Sequence, residues 1–298
     1  MKCSSVLVAG ASGFIGSFLV PFLRAEGHQV TELQRQDPDK PFFWDPANNV
    51  LKGSLEGFDW VINLAGYSVI SGMWSEGRKK KIRDSRILST RALVQAMQKQ
   101  KVPPKVFLSA SATGFYGHSA DMAVDETHPA GSGFLASVCK EWEHEANQAQ
   151  KLGVRVVTPR IGIVLDKEGG ALAKMLPAFK LGLVGRVGSG AQWMSWIGMQ
   201  DLLSLIQFCL LTESVVGAVN AVSPNPVTNK EFTKSLAHVL HRPSFCSVPE
   251  WLLRLSLGEL AQETFLASCK AYPSKLQEAG FQFRYPSLEM LLSFLFTR

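Results

Sequence analysis

Val6-Leu7-Val8-Ala9-Gly10-Ala11-Ser12-Gly13-Phe14-Ile15-Gly16 is the stretch whose reading decides the fold. Four continuously apolar residues make a short strand buried on both faces, as in a parallel sheet. The next turn carries glycine at every third position, and an apolar stripe at helical spacing follows it (Ile15, Leu19, Phe22). Strand, glycine turn and helix N-terminus together aim backbone amides at one point. That arrangement suits two linked phosphates, provided no side chain stands where they approach. Gly10 makes the tight turn, Gly13 leaves room for phosphate, and Gly16 lets the helix lie against the strand. Pro21 is expected to kink this helix and Gly27 to end it.

The same rhythm continues outward from the turn. Val30–Leu33, Trp60–Leu64, Val106–Ser109 and Val154–Thr158 read as further buried strands, with helices expected over Ser75–Lys99 and Phe134–Gln150. Such alternation predicts an α/β, doubly wound parallel sheet of Rossmann type with a smaller, mostly helical lobe. Residues 1–225 form the expected dinucleotide-binding domain and 226–298 a small C-terminal domain. The glycine- and tryptophan-rich residues 166–200 are expected to be loop-rich and to contribute to the substrate lobe. Thr228 and Glu231 stand at capping-box spacing and predict a helix to about Leu240; others are expected near Pro249–Ser268 and Ser287–Phe296.

Composition narrows the function classes. The chain has 298 residues, 46% hydrophobic and 19% charged, with 31 Lys+Arg against 25 Asp+Glu. The mild excess suits a polyanionic small ligand, and the basic residues do not interleave with aromatics as in a nucleic-acid stacking surface. Five scattered cysteines (Cys3, Cys139, Cys209, Cys246, Cys269) form no CxxC pair, and the six histidines show no metal spacing. The histidines read as surface or cap residues. No stretch approaches the roughly 20 apolar residues of a membrane span. A cytoplasmic protein without nucleic-acid, membrane or metal partners is expected; a homodimer is compatible with the sequence.

The GxxGxxG spacing resembles the short-chain dehydrogenase/reductase superfamily, in particular its extended, epimerase-like branch. Asn63-Leu64-Ala65-Gly66 matches that branch's second cofactor turn, and Ser109-Ala110-Ser111-Ala112-Thr113-Gly114-Phe115-Tyr116-Gly117 its serine-rich strand end. The resemblance implies cofactor contacts from Gly10, Ala11, Ser12, Gly13, Phe14, Ile15 and Gly16. It extends them to Leu64, Ala65, Gly66, Arg86, Ser109, Arg160 and Val164. The second strand bears on the choice between NADP(H) and NAD(H). It ends Thr31-Glu32-Leu33-Gln34-Arg35, and the Arg35 guanidinium beside Gln34 can pair with a 2′-phosphate that an acid would repel. This favours NADP(H), with Glu32 as the argument for NAD(H). The cluster Arg78-Lys79-Lys80-Lys81 with Arg83 reads as a solvated helix face.

One expected device is missing. Oxidoreductases of the superfamily use Tyr-x-x-x-Lys, whose spacing sets the ammonium beside the phenol. Four residues beyond Tyr67, Tyr116, Tyr272 and Tyr285 stand Ser71, Ala120, Leu276 and Glu289. On the expected helix Lys140 fits the lysine position, with Ala136 where the tyrosine belongs. The chain is similar in this respect to the atypical subgroup of epimerase family proteins. It shares Gly188-Ser189-Gly190-Ala191-Gln192, Trp196-Ile197 and Thr228-Asn229-Lys230-Glu231-Phe232, but Gly198 replaces the usual histidine after Trp-Ile. Ser111 and Tyr116 are then the candidate catalytic residues, and Gln192, Trp193 and Trp196 the candidate substrate wall. Asp201 is expected to cap the next helix. Two readings follow: an NADP(H)-dependent oxidoreductase or epimerase-like enzyme of unassigned substrate, and a dinucleotide-binding sensor without turnover.

Overall fold

A computed structural model describes residues 3–35, 37–182, 185–244 and 247–296; Cys246 lies outside them. The strands are β1 (Ser5–Ala9), β2 (Gln29–Leu33), β3 (Trp60–Asn63), β4 (Val106–Ser109), β5 (Arg155–Ile161) and β6 (Gly217–Ala221). They pair in parallel in the order β2-β1-β3-β4-β5-β6, and the short strand Ser111–Ala112 also pairs with β5. The chain leaves β1 toward β2 and then returns to the other side of β1 as β3. That reversal is the switch point at which open α/β sheets bind ligands beyond the carboxyl ends of their strands.

Strand side chains alternate between two cores. Val6 and Val8 pack with Leu19, Val20 and Leu23 of helix α1 (Phe14–Ala25) and with Leu202, Leu205 and Ile206 of α5 (Met199–Leu211). Leu7 and Ala9 pack on the opposite side with Leu93, Val94 and Met97 of α2 (Glu76–Gln98) and Ala146 of α3 (Phe134–Asn147). A third core joins α4 (Gly170–Lys180), α6 (Asn229–Val239) and α9 (Leu288–Phe296) through Leu172, Phe179, Phe232, Leu236 and Leu291. The remaining helices are α7 (Glu250–Leu257) and α8 (Ser274–Glu278). Leu276 and Phe281 join the first core, so the C-terminal stretch leans on the main sheet as well as on its own helices.

Several local expectations are met in detail. Gly27 ends α1 at φ 87°, with His28 N donating to Leu23 O and Gly27 N to Arg24 O, the pattern of a left-handed C-terminal cap. Thr228 and Glu231 form a reciprocal capping box on α6. Pro21 sits inside a helix of 12 residues that runs on to Ala25. Other expectations are corrected. Residues 166–200 contain α4 and paired short strands where loop was expected. Strand β6 completes the sheet where the alternating rhythm was thought to fade. Asp201 caps nothing. Its buried carboxylate accepts from Arg284 N at 2.8 Å and Tyr285 N at 2.9 Å, tying α5 to the C-terminal segment. His28 is buried against Trp60, with Nδ1 facing Ser4 N at 3.3 Å. No helix among the described residues is long and apolar enough to cross a membrane.

Candidate cofactor cradle and substrate cavity

The glycine turn lies at the switch point. Gly10, at φ 84°, faces the chain leaving β3: a Cβ built on it would stand 2.7 Å from the Leu64 carbonyl carbon. Gly16 is closed by its own turn, since a Cβ there would meet Gly10 O at 2.2 Å. Gly13 differs. Its N–H donates to Gly10 O, and only that oxygen comes near an added Cβ, so its outer side is open. α1 begins at Phe14 with no side-chain cap at Gly13 and no acid in its first turn, and Ser12 and Gly13 are exposed. An uncapped helix start carries unsatisfied N–H groups and the positive end of the helix dipole. The residues present fit a pyrophosphate.

The neighbouring loops are rigidly held. Buried Asn63 donates to Thr90 Oγ1 at 2.9 Å and Ser109 Oγ at 3.3 Å, and its Oδ1 accepts from Ala65 N at 3.1 Å. This shapes the Leu64–Gly66 turn. The Ser109 hydroxyl is thereby held beneath the strand ends. Arg86 lies under Gly66, donating to Tyr67 O at 3.0 Å and Ile82 O at 2.9 Å, with its guanidinium over Trp142. Burial lowers its pKa. It holds up the loop. At the end of β2, Glu32 pairs with Arg24 at 3.0 Å, while Gln34 and Arg35 are exposed. The acid that argued for NAD(H) is therefore engaged, and Arg35 is left facing outward.

Three sequence candidates are internal struts. Arg160 is buried and pairs twice with Glu143 (Nε–Oε1 2.8 Å, Nη2–Oε2 2.9 Å), with its guanidinium 3.4 Å from the Phe115 ring centre. Ser111 donates to the same Glu143 Oε1 at 2.7 Å. Tyr116 accepts from Arg160 Nη1 at 2.9 Å and donates toward Asn220 Oδ1 at 2.7 Å, with the Asp125 carbonyl at 2.9 Å. Burial pushes the Tyr116 phenol up to about 12 against the opposing pull of Arg160. With Glu143 and Asn220, the polar groups of Ser111, Tyr116 and Arg160 satisfy one another under the strand ends, which gives each a structural role beside the one expected of it. Trp196 is corrected. It is fully buried in the third core with Nε1 donating to Asn225 O at 3.0 Å.

Beside the cradle lies a cavity of about 610 Å³. Phe14 makes the junction. Its ring stands against Gly169 and Gly170, where a Cβ would come within 2.4 and 2.6 Å, and Val164 O is also close to Gly170. The cavity wall begins at the next residues, Ala171 and Ile163, and takes in Thr113, Gly114, Met175, Gln192 and Trp193. Gln192 donates to Val187 O and Phe265 O, and Trp193 Nε1 donates to Asp121 Oδ1 at 3.0 Å. The last wall is C-terminal: Glu259, Gln262, Glu263, Thr264 and Phe265, around the single π-helical turn Ala261–Phe265.

Sequence reasoning missed this wall and its anchors. Glu263 seats its carboxylate on the start of α3, accepting from Phe134 N at 2.6 Å and Leu135 N at 2.7 Å. Glu259 pairs with Lys79, which is therefore more than a solvated helix residue. Arg78 likewise clasps Ser71 O and Tyr67 Oη. His118 also lines the cavity. Its Nδ1 accepts from Ser268 N at 3.1 Å, which places the neutral ring's proton on Nε2. No cluster of metal-ligating side chains exists among the described residues.

A parallel sheet with a glycine turn at its switch point defines a nucleotide-binding protein of the superfamily the motifs suggested. The chain belongs to the NAD dependent epimerase/dehydratase family, whose profile matches residues 6–221. A domain of unknown function, DUF1731, matches residues 248–295. The epimerase family protein Mb2239 of Mycobacterium bovis is 40% identical over 301 residues, covering 100% of this chain and 99% of that protein. The crystal structure of human epimerase family protein SDR39U1 (isoform 2) with NADPH superimposes with a TM-score of 0.90 at 31% identity, covering 99% of each chain. The nucleoside-diphosphate sugar epimerase from Corynebacterium glutamicum gives 0.80 at 31% identity, over 99% of this chain and 58% of that one.

Proposed function

We propose that this chain is an NADP(H)-dependent oxidoreductase acting on a small molecule held in the cavity beside Gly162. The observation that carries the reading is the uncapped, glycine-lined start of α1 at the switch point, joined to that cavity through Phe14. The amides of Gly13, Phe14 and Ile15 would hold the pyrophosphate and Arg35 the 2′-phosphate; the NADPH in the human relative's structure supports this choice. When bound, the nicotinamide supplies or takes up the hydride of a carbonyl–alcohol interconversion. The protein's own task is to place the substrate oxygen and to exchange one proton with it. Among the described residues, four ionisable side chains line the cavity: Glu259, Glu263, Cys269 and His118. Both glutamates are engaged, and burial pushes the Cys269 thiol up to about 11. His118 keeps an Nε2–H without a partner among the described residues, so it is assigned the proton.

Calorimetric titration with NADPH and NADH tests the cofactor. Arg35→Ala should weaken NADPH by about 1–3 kcal/mol, the cost of a lost charge-assisted contact, and leave NADH unchanged. Equal affinity for both cofactors in the unmodified chain refutes the assignment. The non-catalytic sensor reading draws support from the burial of Ser111 and Tyr116. NADPH binding without oxidation by any member of a broad carbonyl panel selects it.

A further inference from the structure

We infer that the cavity takes an uncharged, largely apolar carbonyl or alcohol, and that it rejects a nucleoside-diphosphate sugar. This rests on the reading of the cavity as the substrate site. Among the described residues that line it, none is lysine or arginine. Of the cations just outside it, Lys79 is spent on Glu259, and Lys270 lies with its ammonium 4.0 Å from the centre of the Trp193 ring. Two helix starts border the cavity. That of α3 is plugged by the Glu263 carboxylate on Phe134 N and Leu135 N, and that of α4 has the Phe14 ring packed against Gly169 and Gly170. A diphosphate entering here would meet two carboxylates and, among the described residues, no lysine or arginine on the wall itself. The adjoining smaller cavity repeats the pattern: among the described residues its one cation, Arg254, is paired with Glu250 and shares the space with Asp121. Burying phosphate charges without partners is far more costly than leaving them in water.

What the walls do offer is apolar surface and neutral polar groups. Leu135, Met175, Trp193 and Phe265 supply the first, and Thr113 and His118 can meet a single oxygen. A volume of about 610 Å³ lies within the range that encloses a drug-sized apolar ligand. Polar specificity then resides in one oxygen, with shape settling the rest.

The test uses the full chain saturated with NADPH, with saturation established first by calorimetry so that failure of the cofactor reading is seen separately. Acetophenone, cyclohexanone and camphor serve as neutral probes, UDP-glucose and phenylglyoxylate as anionic ones, read by saturation-transfer NMR and thermal shift. At least one neutral ketone should bind saturably, and neither anion should. Met175→Trp should weaken that ketone by at least about tenfold while NADPH titrates as before. Ala171→Phe, on the same wall, replaces it if Met175→Trp unfolds the chain. Saturable binding of UDP-glucose or phenylglyoxylate that either variant abolishes overturns the inference. So does the failure of all three ketones to bind the NADPH-loaded protein.

Discussion

Tyr116→Phe separates a proton donor from a strut. The hydroxyl accepts from Arg160 Nη1 and donates toward Asn220 Oδ1, and all three residues are buried. Removing it leaves Asn220 Oδ1 without its donor and Arg160 with one N–H unmet, although Glu143 still holds the guanidinium at two points. An unsatisfied buried polar group costs about 1–3 kcal/mol. Unfolding entropy for a chain of this length is about 0.6 kcal/mol/K, so Tm should fall by about 2–5 °C. Thermal denaturation measures this, with NADPH titration and turnover on the same preparations. Affinity and turnover should stay near the unmodified values. Their pH profiles should also be unmoved through neutrality, because burial already holds the phenol protonated up to about 12. Refutation would be an unchanged Tm with turnover abolished and NADPH affinity intact. The phenol would then belong to the chemistry.

Gly16→Val should abolish NADPH binding and lower Tm, because the new side chain begins 2.2 Å from Gly10 O and must force the turn open; calorimetry and melting together check it. Glu263→Ala should cost about 1 kcal/mol, the typical loss when a helix start loses its acceptor, with Glu263→Gln recovering part of the lost Tm. Arg160→Met should destabilise by about 3–5 kcal/mol by stranding the Glu143 carboxylate, and combining it with Glu143→Met should restore most of that in chemical denaturation. Asp125, held down to about 2 by its Thr127 hydrogen bonds and by His128, adds stability above the ordinary 3.8 that is lost as pH falls toward 2. Asp125→Asn should lower stability at neutral pH and flatten the acid limb in that window, so that the two proteins converge in stability toward pH 2.

What could be read in advance followed short-range rules. The glycine turn and the first five strands were legible because both depend on neighbours within a few residues. The same holds for the Thr228–Glu231 box and the Gly27 stop. Strand β6 was not, since its Gly217-Ala218-Val219-Asn220-Ala221 breaks the apolar run with an asparagine whose side chain turns inward to Tyr116 and to Tyr272 O. Arg160 reads as a ligand contact until Glu143 is found beside it. Trp196 reads as a pocket wall until the third core closes around it. His118 and Glu263 had no local signal at all, because their partners lie 150 and 129 residues away. Gly198, which departs from the subgroup's histidine, now has a packing reason: a Cβ there would come within 2.7 Å of Leu291.

The Glu259 and Glu263 anchors fasten the C-terminal segment to the dinucleotide-binding part at two separate points, on Lys79 and on the start of α3. On the proposed reading, one wall of the reactant's cavity is drawn from residues beyond 248, far along the chain from the glycine turn. Exchanging that wall for another, while keeping an acid for Lys79 and one for the start of α3, would retarget the protein without disturbing its hold on the dinucleotide.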